Sequence, residues 1–125
     1  MYIITETSYL NGKGYLPQTH IYNTYEKALT KALDIASHFY DENFQVTASH
    51  YRTDKGPQTK PLFHITKKEN ETLQVTKYTK TQKHIETKYT QQTINSETGI
   101  INYSKNENGE TLQEFLQTEP TIYKR

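Results

Sequence analysis

A chain of 125 residues is long enough to fold as one domain with its own core, and nothing in the composition divides residues 1–125 into two units. Leu, Ile, Val and Phe supply 24 residues, a share that approaches disordered chains, but a net charge of +1 and eleven tyrosines argue for a folded domain. The absence of cysteine excludes a disulfide framework and thiolate zinc sites. No run has the pattern of a secretory signal or a transmembrane span, so a cytoplasmic location is the simplest expectation.

The first predicted element is a hairpin. YIITETSYL alternates loosely and runs into Asn11-Gly12, a dipeptide that favours tight β-turns. The return strand falls on 15–22, where Pro17 cannot donate to a ladder and so marks an edge or a bulge. A long amphipathic helix is predicted over 24–41: Tyr25, Ala28, Leu29, Ala32, Leu33, Ala36, Phe39 and Tyr40 recur at helical spacing. Asn23 with Glu26 fits a capping box at its start.

FQVTASHYRT, 44–53, reads as a strand with Phe44, Val46, Ala48 and His50 on one face. DKGPQTKP is expected to be a loop. LFHITKK and TLQVTKYT form a second hairpin, in which Phe63 and Ile65 share a face, as do Leu73 and Val75. In the next strand Ile85, Thr87 and Tyr89 are in step and Ile94 is out of phase, which requires a bend or bulge between them. SETG and KNENG are turns around the short strand IINYS. Thr111 and Glu114 then spell a capping box for a short helix over 111–118, which stops before Pro120. The expected class is α+β, a mainly antiparallel sheet built from hairpins with the long helix packed on it.

Catalytic chemistry leaves no signature. His20, His38, His50, His64 and His84 are scattered without metal-ligand spacing, although His50 and His64 would face each other if their strands pair across the loop. No nucleophile stands beside a base in a recognisable motif, and no carboxylate pair is held in an evident cleft. No cofactor, metal or enzymatic activity is expected.

The stretch TKYTKTQKHIETKYT contains TKYT twice and is the one candidate interaction segment. Residues 60–88 carry a net +4 and residues 89–123 a net −4, so the two could neutralise each other. Lys77, Tyr78, Lys80, Lys83, Lys88 and Tyr89 are the candidate partner-binding residues. Lysines among aromatic residues on a sheet suit single-stranded nucleic acid. Against that reading, thirteen lysines accompany two arginines, a bias that AT-rich codons produce, and strand alternation divides the lysines between faces. The spacing of the repeat suggests neighbouring strands with Tyr78 and Tyr89 as a cross-strand pair.

The first forty residues, a strand, a turn, a strand and then YNTYEKALTKA, resemble in style many small proteins of phages and mobile elements. No specific motif carries that resemblance, and no functional residue follows from it. With small size, near-neutral charge and abundant tyrosine, it implies a non-enzymatic binding protein acting through protein–protein contact, such as an inhibitor of a host defence enzyme or nuclease. The alternatives are a single-stranded nucleic-acid-binding module using 67–88, and a small-molecule or nucleotide binder between helix and sheet. No membrane partner is expected, and a homodimer is compatible with the sequence.

Overall fold

The computed structural model describes residues 1–10, 13–14, 17–38, 43–54, 56–68, 72–78, 84–117 and 119. Its strands are β1 (Tyr2–Leu10), β2 (Lys13–Gly14), β3 (Gln18–Tyr22), β4 (Phe44–Arg52), β5 (Gln58–Lys68), β6 (Thr72–Tyr78), β7 (His84–Ile94) and β8 (Ile101–Tyr103). The helices are α1 (Tyr25–Ser37) and α2 (Leu112–Leu116). The strands form one sheet in the order β2-β1-β4-β5-β6-β7-β8, with β3 also pairing with β1. Every strand pairing is antiparallel, and the fold is α+β, mostly sheet.

Alternation decides which face is dry. Phe44, Val46 and Ala48 of β4 line up across the sheet with Ile4 of β1, Phe63 and Ile65 of β5, and Leu73 and Val75 of β6, and all are buried. These residues make the inner face. Helix α1 covers it over β1, β3 and β4, presenting Ala28, Leu29, Ala32, Ile35 and Ala36. The small alanines let the helix backbone approach the sheet closely. Phe115 and Leu116 of α2 belong to the same core. On the opposite, outer face β6 and β7 carry Gln74, Thr76, Tyr78, His84, Glu86 and Lys88, while β1 and β3 carry Ile3 and the exposed Ile21.

Tyrosine hydroxyls fasten the inner layer. Tyr25 donates to the Leu116 carbonyl at 2.6 Å, and Tyr103 donates to the Ala36 carbonyl at 2.8 Å. Both acceptors lie at helix ends, where carbonyls lack partners within the helix. Tyr2 stacks on His50 with ring centres 4.6 Å apart and donates its hydroxyl to Glu119 Oε1 at 2.8 Å.

Several local expectations are corrected. The cap of α1 is Thr24, whose side chain accepts from the Lys27 N–H, one residue later than the Asn23–Glu26 box. The described helix ends at Ser37, and the expected extension through 39–41 lies outside the described residues. The expected 54–61 loop is half strand, since β5 begins at Gln58. A register shift makes this workable: Ala48 pairs with Phe63 and Ser49 with Pro61, so Leu62 is the extra residue of a bulge. Pro61 is tolerated beside that irregularity although it has no N–H. His50 pairs with Lys60, and His64 pairs with Thr47, so the two histidines stand on opposite faces instead of facing each other.

Other features follow the pattern. The β7–β8 register shifts between Gln91 and Thr93, which is the bulge that Ile94 demanded. The turn between these strands closes through Gly99, whose φ of 74° favours a residue without Cβ. Thr111 and Glu114 form a full capping box on α2, whose described residues end at Leu116.

Candidate functional site: the open face of the sheet

The hairpin β6–β7 is fixed by pairs running from Thr72↔Thr90 to Tyr78↔His84. Tyr89 therefore lies opposite Leu73, several residues from Tyr78, and the expected Tyr78–Tyr89 pair does not form. Tyr78 instead meets His84 edge to face, with ring centres 6.4 Å apart. Antiparallel pairing reverses the order of one strand against the other. A motif repeated in the same direction is thus out of step with itself across the pair, as Tyr78↔His84 and Leu73↔Tyr89 show.

The six candidates separate accordingly. Lys77 and Tyr89 belong to the inner face. Tyr89 is 0 % exposed; its hydroxyl donates to the Thr111 carbonyl at 3.2 Å and accepts from Asn106 Nδ2 at 3.3 Å. It is a core residue and cannot touch a partner in this fold. Lys77 directs its ammonium to the Phe115 carbonyl at 2.9 Å, so its charge is engaged by α2. Tyr78 and Lys88 belong to the outer face, Tyr78 half-buried and Lys88 exposed. Lys80 and Lys83 lie outside the described residues. The basic strands are covered by the acidic C-terminal segment at Lys77, but there the acceptor is a backbone carbonyl.

Around Tyr78 the outer face carries residues that were not among the six candidates. His64 and Thr66 of β5, Gln74 and Thr76 of β6, and His84 and Glu86 of β7 border with Tyr78 a shallow depression of about 350 Å³. The pairs His64↔Thr76 and Thr76↔Glu86 set three of these in a row across three strands. His84 Nε2 lies 3.7 Å from Glu86 Oε1, and His64 Nε2 is 3.2 Å from Thr66 Oγ1. Burial lowers the pKa of His64 below its ordinary 6.5, favouring the neutral ring that shares this hydrogen bond. The signal was the alternation itself: each residue stands between inner-face positions, and only the strand register shows that they converge.

The arrangement presents hydrogen-bonding groups of both kinds, one aromatic ring, one carboxylate and two imidazoles on a platform of strands. Among the described residues, no group of three or more His, Cys, Asp or Glu side chains is placed to hold a metal ion. Among them too, no helix is long and apolar enough to cross a membrane. No protein-family model matches the sequence, and neither curated proteins nor solved structures give a significant match.

Proposed function

We propose that the chain is a non-enzymatic binding protein that docks a protein partner on the outer face of β5, β6 and β7. The observation that carries this reading is the convergence of His64, Thr76, Tyr78, His84 and Glu86 on one face, opposite the face that α1 and α2 pack against. Side chains projecting from paired strands are held in place before binding, so a partner meets them at low entropic cost. Tyrosine is enriched at such surfaces because it offers area and a hydrogen bond with few rotatable bonds. An inhibitor or accessory factor of a mobile element, acting on a nuclease or another defence enzyme, is the role we assign to this contact. The nucleic-acid alternative draws on Lys88 alone among the described candidate lysines, with Glu86 on the same strand face.

The test is capture from the native host with wild-type protein and with a Thr76→Arg, Tyr78→Ala variant, followed by mass spectrometry. Wild type should recover a specific protein that the variant loses while keeping its fold by circular dichroism. Equal capture by both proteins, or no specific protein with wild type, would overturn the proposal.

A further inference from the structure

Among the described residues, no strand pairs with the outer edge of β7 over its first half, where Glu107 borders a depression with Glu86, Thr87 and Lys88. Strand β8 pairs with β7 only from Gln91 onward, and Ser104 carries the contact as far as Thr90. The Thr90 carbonyl accepts from the Ser104 N–H at 2.8 Å, and the Thr90 N–H donates to Ser104 Oγ at 3.1 Å. The chain then turns onto the inner face, where Asn106 reaches the Tyr89 hydroxyl. Since both backbone groups of Thr90 point away from β6, strand alternation points those of His84, Glu86 and Lys88 the same way. Among the described residues, no strand pairs with that side of 84–88.

Exposed edges of this kind are normally protected by charged side chains, a proline, a bulge or an inward-pointing charge. On this edge the charges of Glu86 and Lys88 lie on the outer face alone. The inward-pointing residue at the open end of β7 is Ile85, 48 % exposed and one of the large apolar side chains left in solvent. We infer that this edge pairs with the same edge of a second copy, antiparallel about a twofold axis at Ile85. The occupant is chosen by complementarity. With the axis at Ile85, each His84 faces Glu86 of the other copy, in hydrogen-bonded pairs that exchange both backbone bonds. The two isoleucines then form the close non-hydrogen-bonded pair at the centre and leave solvent together.

Neighbouring registers fail on the same residues. An axis at Glu86 sets carboxylate against carboxylate, and places His84 against Lys88. An axis at Thr87 would bring the second copy onto Thr90, whose edge Ser104 already occupies. A formal net charge of +1 leaves little long-range repulsion between copies. The pairing would join the outer faces of the two chains into one surface, and it does not depend on the proposed partner of that face.

Sedimentation equilibrium on the purified chain, with no other protein present, decides the matter. Wild type should dimerise reversibly. Glu86→Lys should weaken the dimer about tenfold or more by replacing the carboxylate that each His84 meets across the axis with a cation. Adding His84→Glu to Glu86→Lys sets opposite charges across the axis and should return the dissociation constant to within about threefold of wild type. Ile85→Glu, which faces Lys77 within its own chain, should also abolish dimers while keeping the fold by circular dichroism. A wild-type monomer up to the solubility limit overturns the inference. So does a Glu86→Lys variant as dimeric as wild type, or a double variant that stays monomeric. Capture experiments with β6 variants read the outer-face proposal separately, so either idea can fail alone.

Discussion

The ammonium of Lys77 donates to the Phe115 carbonyl at 2.9 Å and lies 4.4 Å from the centre of the same residue's ring. One side chain thus satisfies a helix-end carbonyl and a π face together, and Tyr25 satisfies the next carbonyl at Leu116. Helix α2 is closed by a lysine and a tyrosine arriving from other elements. Lys77→Met keeps the apolar stem and loses both interactions, so unfolding in urea should show a loss of about 1–3 kcal/mol. Combining it with Phe115→Leu in a double-mutant cycle should give a coupling of about 0.5–1 kcal/mol. Strict additivity would show that the ring contributes nothing.

The two tyrosines of the repeated TKYT should respond oppositely to substitution. Tyr78 stands half-buried on the outer face, and Tyr78→Ser is expected to change stability by within about 0.5 kcal/mol. Tyr89 is fully buried and bonded at its hydroxyl, and Tyr89→Ser should cost about 3–5 kcal/mol. Chemical denaturation of the two variants side by side reads the difference.

Alkaline pH should loosen the inner layer. The Tyr2 phenol is pushed from 10 up to about 12 by burial, then by its hydrogen bond to Glu119 and that carboxylate's charge. Tyr89 is pushed up to about 12 by burial and by the charges of Glu110 and Glu114, against a smaller opposite effect of its bond to Asn106. The unfolded chain therefore releases these protons first, and stability falls as pH rises from about 10 to about 12. Their contribution is complete below that window. Denaturation midpoints measured across it should fall less steeply for Tyr89→Phe than for wild type.

Acid acts on one histidine of each face. Burial holds the His64 pKa below 6.5, so the unfolded chain binds a proton there before the folded chain does. Stability should be lost as pH drops from 6.5 toward the lower folded value, and unaffected by this group above 6.5. His50 shifts in the same direction, by burial first and then by the N-terminal ammonium and Arg52, with Glu119 opposing. His64→Gln should flatten the acid limb of the urea midpoint, and an unchanged limb would count against the assignment.

Alternation made the inner face legible before any strand order was known: Phe44 with Val46 and Ala48, Phe63 with Ile65, and Leu73 with Val75 all point inward. The α1 stripe and the Thr111–Glu114 box were readable for the same reason, since both depend on residues a few positions apart. What depends on pairing between distant residues was not. The Tyr78–Tyr89 expectation failed because β6 and β7 pair in the register Tyr78↔His84, which the repeat does not reveal. Pro61 concealed the first part of β5, because the bulge at Leu62 that accommodates it has no local signature. The open face at Tyr78 needs three strands in register before His64, Thr76 and Glu86 become neighbours.

Strand order also sets an order of assembly. From β4 to β7 each strand pairs with the next in sequence, so that meander closes through short connections. Strand β1 is different: Ile4 meets Ala48 only across the whole of α1. During synthesis β1 and the apolar side of α1 are made before the β4 strand that shields them, and must wait for it. A chain halted between α1 and β4 would have only the β1–β3 hairpin to cover Ala28, Leu29, Ala32 and Ile35. Nascent chains stalled there are the ones that should need a chaperone.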